Sequence, residues 1–583
     1  MPSLRLDLIN RYLKPHKKQL FLGGISLIVV NILSVTIPLE VKGIIDELKD
    51  GFILSSILKG SIWIIILATI MGFIRLLSRQ LVFGVGRQVE VDLRQRLFNH
   101  MLTQEPDWVK EIGSGEVITR ATSDIENIRR LLGFAILSLT NTFLAYLFTL
   151  PAMFAINPVL TVAAISLYPI MLATVGLFGG RMVMQRKNQQ ESLSKLSELI
   201  QEDLSGISAI KIYGQEKAEM EAFSGKNNNY RDAAINLART ASTLFPLLQG
   251  ISSISLLVLL SLGSGFLQNG VLTIGGLVAL ILYVERLVFP TALLGFTINT
   301  FQLGQVSLER VEDLLKREPE IKNKTNSITF KEKFKGKLET RNFTFRYEQS
   351  NKDVLNGITF SIEPGELVAI VGPVGCGKTT IAKALGRMLK IKKGQIFVDE
   401  YDITDLKLED LRKNIAFVPQ EGYLFTCTLS ENIGFGDPSA SFNKIRTSAE
   451  QARLIEDING FPDGFDTLVG ERGITLSGGQ RQRTALGRAL LIDAPILVLD
   501  DALASVDNKT AASILHSIRE AKNKTILLIS HQLSAAAACD RILVIENGAL
   551  VQQGTHSQLI EIDGCYKRLW EREKAEEELN YGN

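Results

Sequence analysis

Six predominantly apolar stretches mark the first half of the chain, at about 20–41, 55–77, 132–155, 159–180, 242–267 and 274–300. Each is as long as the roughly 20 residues a helix needs to cross the hydrocarbon core of a bilayer. Near residue 305 the pattern changes. Short apolar runs, Leu367–Val371, Ile496–Leu499 and Thr525–Ile529, then alternate with helical periodicity, the pattern of buried strands in an α/β domain. The expected architecture is an α-helical transmembrane domain of six helices at 1–305, a linker at 306–335 and an α/β domain at 336–583.

An even number of spans puts both ends of the membrane domain on one side, and positive charge selects the side. The amino terminus carries Arg5, Arg11, Lys14, Lys17 and Lys18. The long loops 78–131 and 181–241 carry Arg87, Arg94, Arg96, Arg120, Arg186, Lys187 and Lys211. The short loops near Asn157 and Asn269 carry no Lys or Arg, whereas the third short loop holds Lys42 and Lys49 and counts mildly against the assignment. Both termini and both long loops are therefore expected in the cytosol. Within those loops Val89–Leu102 and Gln189–Leu204 repeat apolar residues every three or four positions, so the spans are expected to run on as helices. The first span is too long for a signal peptide, and no A-x-A-like cleavage site follows it.

Charge inside a span is costly unless it pairs or faces water. Glu285 and Arg286, one turn before Pro290, either line a cavity or pair structurally. Pro290 and Pro38 either kink their spans or bend them statically. Trp63 and Phe289 are expected against lipid, and the charged run Lys567–Glu578 is expected to be a solvated helix.

Composition agrees with this division. Over 583 residues, 46% are hydrophobic although 22% are charged, and the mean hydropathy is +0.16. A net charge of +2 without a dominant basic block gives no reason to expect a nucleic-acid partner. The four cysteines, Cys376, Cys427, Cys539 and Cys565, all fall in the second half without metal-ligand spacing, as expected of reduced thiols rather than a disulfide framework.

The chemistry-bearing motif follows the run Leu367–Val371. It reads Gly372-Pro-Val-Gly375-Cys376-Gly377-Lys378-Thr379-Thr380 and opens a helical pattern, which is a phosphate-binding loop. Its glycines let backbone N–H groups close on phosphate oxygens, Lys378 reaches the β and γ phosphates, and Thr379 offers its hydroxyl to magnesium. The run Ile496–Leu499 ends in Asp500 and Asp501. An acidic residue at the end of a buried strand can hold magnesium opposite such a loop, and Asp500 takes that part.

The segment Leu476-Ser477-Gly478-Gly479-Gln480, followed by Arg481-Gln-Arg483, resembles the signature of the ABC transporter family. The resemblance extends to Gln420 in a Val-Pro-Gln segment, to Thr467–Gly473, to Asp507 and to His531. Spans, long loops and ATPase in this order resemble the exporter branch over nearly the whole chain. The resemblance implies ATP and Mg²⁺ as cofactors. It makes Tyr347 the aromatic that stacks on adenine, Gln420 and His531 catalytic partners of Asp501, and Gln420 a magnesium contact beside Thr379 and Asp500. It also implies that Ser477, Gly478, Gly479 and Gln480 cap the nucleotide held by a second subunit. Short helices near Asp107–Ile112 and Ile210–Gln215 are expected to carry movement between the domains.

One residue departs from the family pattern. Where most active members have glutamate after the magnesium aspartate, this chain has Asp501, whose carboxylate reaches one methylene less far. The stretch Asp500–Asp507 resembles one subunit of heterodimeric multidrug exporters in which one ATP site is weak. The expectation is a half-transporter in a bacterial inner or plasma membrane, exporting amphipathic small molecules, drugs or lipids beside a second half-transporter. A heterodimer is favoured over a homodimer; the alternatives are a homodimeric exporter and an ATP-gated channel or regulator.

Overall fold

Fifty consecutive residues, Leu54–Thr103, form one helix, about 75 Å long at 1.5 Å per residue and so more than twice the thickness of a hydrocarbon core. The computed structural model describes residues 6–48, 54–330, 333–348, 350–470, 473, 475–520 and 524–581. The chain folds as two compact units, Met1–Leu102 with Lys110–Glu318 and Thr103–Val109 with Pro319–Asn583.

The described residues of the first half are almost wholly helical, with elements α1 (Leu6–Leu13), α2 (Lys17–Glu47), α3 (Leu54–Thr103), α4 (Pro106–Ile112), α5 (Ser114–Thr119), α6 (Ile125–Arg130), α7 (Ile136–Ile156), α8 (Pro158–Ile165), α9 (Tyr168–Ser205), α10 (Ile207–Tyr213), α11 (Glu216–Gln268) and α12 (Ile274–Lys316), of which the end of α3 and the start of α4 fall in the second unit. Among the described residues six helical stretches are long and apolar enough to cross a membrane, as the hydrophobic pattern predicts. The most apolar window of α3 is only 6% buried; an apolar surface of that extent belongs in lipid. Trp63 on α3 and Phe289 on α12 are both exposed. The expected helical extensions are present, because α3, α9 and α11 continue far beyond their apolar segments. The two short helices also form, α4 ending at Gly113 and α10 at Gly214, both with positive φ.

The short connections have local causes. Asn157 caps α8 by accepting from Leu160 N–H at 3.0 Å, with Pro158 at the first helical position, where its missing N–H costs nothing. Thr273 caps α12 through Gly276 N–H at 3.0 Å, and Asp46 accepts from both the Thr273 hydroxyl and Gly275 N–H. The fourth span is not one continuous helix: it turns at Ser166–Leu167 and restarts with Pro169 in the first turn of α9. The helical stretch Ser114–Ile156 that includes the third span contains two π turns, Arg120–Asp124 and Leu131–Ala135. Pro38 and Pro290 both sit inside unbroken helices. Arg286 and Glu285 do not pair with each other. Arg286 donates to the Asn31 side chain at 2.9 Å, and Asn31 in turn donates to Asn141 at 3.2 Å, whereas Glu285 is exposed.

The second unit holds two sheets. Strands β1 (Leu338–Phe345), β2 (Leu355–Ile362), β4 (Ile396–Val398) and β5 (Tyr401–Asp402) form an antiparallel sheet in the order β2-β1-β4-β5. Strands β3 (Leu367–Val371), β6 (Ile415–Val418), β7 (Ile496–Asp500), β8 (Thr525–Ile529), β9 (Arg541–Glu546) and β10 (Ala549–Gly554) form a sheet in the order β10-β9-β3-β8-β7-β6. It is parallel except for its β9–β10 edge. Strands β3, β7 and β8 are buried at every position, as strands covered on both faces must be. The helices are α13 (Lys378–Leu385), α14 (Leu408–Asn414), α15 (Leu429–Gly434), α16 (Phe442–Gln451), α17 (Ile455–Gly460), α18 (Gly478–Leu491), α19 (Asn508–Glu520), α20 (Leu533–Ala537), α21 (His556–Glu561) and α22 (Cys565–Tyr581). The reading of Lys567–Glu578 as simply solvated needs correction: Tyr566 of α22 is fully buried and Trp570 packs against the core, because a spacing of four residues puts both on one helix face.

Candidate functional site

The carboxyl ends of parallel strands are where α/β sheets hold ligands, and β3 and β7 bring their motifs to that end of the sheet. Two glycines in the loop after β3 are required sterically. A Cβ on Gly372 (φ +153°) would lie 2.0 Å from the Ile545 carbonyl oxygen, and one on Gly377 (φ +99°) would lie 2.6 Å from Leu355. Gly375 (φ +82°) has open space beside it, so the loop is tied down at its ends and free in its middle. Lys378, the first residue of α13, is buried and donates to the Gly372 and Pro373 carbonyls at 2.8 and 3.0 Å. Burial lowers its pKa below the usual lysine range, and it raises that of the neighbouring Cys376 thiol. A buried cation beside a glycine loop with room at its centre fits a polyanionic phosphate chain.

Thr379 donates its hydroxyl to Asp500 at 3.0 Å, joining the phosphate loop to the end of β7. Asp500 is buried, and burial raises its pKa, with the Asp501 charge adding to the shift. A hydroxyl and a carboxylate so joined fit Mg²⁺, which typically takes one or two protein ligands and completes its shell from phosphates and water.

Asp501 is buried with a left-handed backbone, φ +51°. Its Oδ1 accepts the His531 backbone N–H at 3.3 Å. The His531 pKa is lowered, by burial first and then by the Lys378 charge, against an opposing pull from Asp501. Gln420, exposed after β6, enters this constellation through its backbone: its carbonyl accepts from Gln482 at 3.3 Å. Tyr347 lies across the phosphate-loop helix with its hydroxyl 3.2 Å from Thr380 Oγ1, and its ring is held edge-on by Phe345.

The signature residues form a second cluster. Ser477 and Gln480 cap α18 reciprocally, Gln480 N–H donating to Ser477 and Ser477 N–H to Gln480. Gln480 also donates to Asp457 at 2.9 Å, and Arg483 pairs with the same carboxylate. Gln480 is thus spent on bracing α18. Gly478 and Gly479 lie against Ser505. Among the described residues no hydrogen bond joins Ser477–Gln480 to the phosphate loop of the same chain. Asp507 caps α19 through Thr510 N–H at 2.9 Å. Of the expected segment Thr467–Gly473, Glu471 and Arg472 lie outside the described residues.

Two contributors escape sequence reasoning. Gln482 donates to the Gln420 and Asp501 carbonyls and accepts Ser505 N–H at 3.0 Å, so one side chain ties the loop after β6 to two points of the loop after β7. Its position two residues beyond Gln480 was the only available signal. Glu573 of α22 accepts Leu533 N–H at 2.8 Å and Ser534 N–H at 3.3 Å, capping the helix that follows His531. In sequence it is one acid in a charged run.

Two family models match successive parts of the chain. Residues 20–291 match the ABC transporter transmembrane region, and residues 355–504 match the ABC transporter domain. The chain is 31% identical over 576 residues to the multidrug resistance-like ATP-binding protein MdlA of Buchnera aphidicola, covering 97% of this chain and 98% of that protein. It is 32% identical to the probable multidrug resistance ABC transporter ATP-binding/permease protein YheI of Bacillus subtilis, over 98% and 97% of the two chains. The structure of a bacterial Atm1-family ABC exporter with ATP bound is similar at a TM-score of 0.77 and 25% identity, covering 97% of this chain and 99% of that one.

Proposed function

The chain belongs to the ABC transporter family, as an integral membrane half-transporter that couples ATP hydrolysis to export, and from that premise we propose that it is the slow-site subunit of a heterodimeric exporter of amphipathic compounds. Relatives named for multidrug resistance support the substrate class. The bacterial relatives support a bacterial inner or plasma membrane, and the distribution of Lys and Arg supports a cytosolic ATP-binding unit.

In this reading Gly372, Gly375, Cys376, Gly377 and Thr380 supply backbone N–H groups to the phosphates of ATP, while Lys378 turns its ammonium from the loop carbonyls to the β and γ oxygens. Tyr347 stacks on the adenine. Thr379, Asp500 and Gln420 hold Mg²⁺, which neutralises phosphate charge when bound. His531 contacts the γ phosphate. Ser477, Gly478 and Gly479 extend N–H and hydroxyl donors to the nucleotide of the opposite subunit, with Gln480 holding them in register.

Asp501 carries the argument for asymmetry. A base must come within about 2.6–3.2 Å of the proton it takes, directly or through one water. The Asp501 carboxylate has one methylene less than glutamate and is drawn back onto the His531 N–H. Its subunit therefore holds ATP and splits it slowly, while its signature serves the partner's faster site. The test is ATPase turnover of the purified, reconstituted chain beside Asp501→Glu. The expected result is slow wild-type turnover and a rise of about a hundredfold with glutamate, at the low end of general-base effects. Brisk wild-type turnover as a homodimer, unchanged by glutamate, would sink the slow-site assignment.

A further inference from the structure

In the first unit a recess of about 370 Å³ is lined by Phe83, Arg87, Arg129, Arg130, Phe134 and Phe296. Its walls come from α3, the α6–α7 region and α12: Phe134 and Phe296 lie near the ends of the third and sixth apolar segments, and Phe83, Arg87, Arg129 and Arg130 just outside the second and third. The recess is built by close helix approach: a Cβ on Gly86 would lie 2.9 Å from the Arg129 carbonyl oxygen and 3.2 Å from Gly133 N. Gly133 and Phe134 belong to the π turn Leu131–Ala135, and such turns recur at functional sites. Phe134 and Phe296 meet edge to face at 5.5 Å across the recess.

The charges divide in a telling way. Arg129 is held by Glu90 at 3.3 Å and Glu126 at 3.1 Å, and Arg130 by Glu126 at 2.7 Å. Glu90 is also shared with Arg94. Four arginines thus face two glutamates, and among the described residues Arg87 is exposed and has no hydrogen-bond or ion-pair partner. A positive surplus beside an aromatic wall, with one guanidinium uncommitted, complements a molecule with a negative head and an apolar body.

We propose that this recess binds amphipathic organic anions, the body packing on Phe83, Phe134 and Phe296 and a carboxylate, sulfonate or phosphate taken by Arg87. Arg129 and Arg130 hold the field that selects the sign of charge. The site names a substrate class for the exporter and so rests on that reading of the chain.

Binding is tested on the purified full chain in phosphatidylcholine nanodiscs without nucleotide, using dansylglycine and dansylcadaverine, which share a fluorophore and carry opposite charges. Dansylglycine is expected to bind saturably and dansylcadaverine at least tenfold more weakly. Arg87→Gln should weaken dansylglycine at least tenfold, Arg87→Lys should restore part of that loss, and Arg87→Glu should reverse the preference. Equal binding of both probes, or dansylglycine binding unchanged in both Arg87→Gln and Arg130→Gln, overturns the proposal. So does a recess that takes only phosphatidylglycerol supplied in the disc and no dansylglycine. Export is tested separately, by ATP-dependent uptake into inside-out vesicles. A chain that binds dansylglycine through Arg87 but, beside its partner subunit, moves no probe keeps the site and loses the assignment of these anions as cargo.

Discussion

Asp500 is a buried acid whose folded-state pKa is raised above the ordinary aspartate value, chiefly by burial. Below the unfolded value near 3.9 both states are protonated, and as pH rises through the raised folded value stability is lost. At neutral pH the nucleotide-free protein therefore bears the full cost of the charge. Asp500→Asn keeps an acceptor for the Thr379 hydroxyl and removes the charge. We expect it to raise the melting midpoint of the nucleotide-free protein by about 2 °C, for roughly 1 kcal/mol in a domain of this size, and to abolish Mg²⁺-dependent ATP hydrolysis. A lower midpoint in a scanning fluorescence measurement would count against burial as the cause. His531 runs the other way. Burial and Lys378 depress its pKa, so the folded state binds fewer protons and stability falls as pH drops through about 6.5 towards the folded value. The chain has five histidines, few enough for nitrogen NMR to resolve. The His531 midpoint is expected below 6.5 and should rise in Lys378→Gln. A midpoint at or above 6.5 in the wild type contradicts the placement of that ring.

At the scale of elements, the loops after β6 and β7 are held by a helix side chain as well as by the sheet. Gln482 on α18 binds backbone groups of Gln420, Asp501 and Ser505, so a shift of α18 is felt at all three. Gln482→Ala leaves these polar groups without their partner, at a cost of roughly 1–3 kcal/mol. Because none of the three groups binds adenine, kcat for ATP is expected to fall severalfold with little change in KM. A change confined to KM would show that Gln482 acts on nucleotide affinity instead. Packing in the first unit depends on glycines in the same way. A Cβ on Gly304 would lie 2.4 Å from that of Leu131, so α12 can lie against the π turn only because residue 304 has no side chain.

For the molecule as a whole, sidedness is the property most open to test. The connection Asn269–Val271 between α11 and α12 is exposed, and the proposed orientation puts it outside the cell, with the far arm of α11 at Lys217 in the cytosol. A membrane-impermeant maleimide is expected to label Asn269→Cys in intact cells and Lys217→Cys only after permeabilisation. The four native cysteines all belong to the ATP-binding unit, and three of them are buried, so they should contribute little background. Labelling in the opposite order would invert the membrane domain and overturn the export direction.

What the sequence determined by itself is what rests on local regularity. Six apolar stretches of spanning length, the strand–glycine loop–helix order around Lys378 and the acidic end of β7 each arise within a few consecutive turns or strands, where periodicity and backbone demands are written directly. The tertiary structure decided what depends on residues far apart in the chain. Arg286 meets Asn31 across 255 positions, and Glu573 caps the helix after His531 across 40. Arg87 joins Phe296 in one recess. No spacing rule predicts such partners, because they are chosen by packing of whole helices and by the need of each buried polar group to find a partner. Gln482 shows the same division within one motif: its place beside the signature was legible, but the two loops it ties were not.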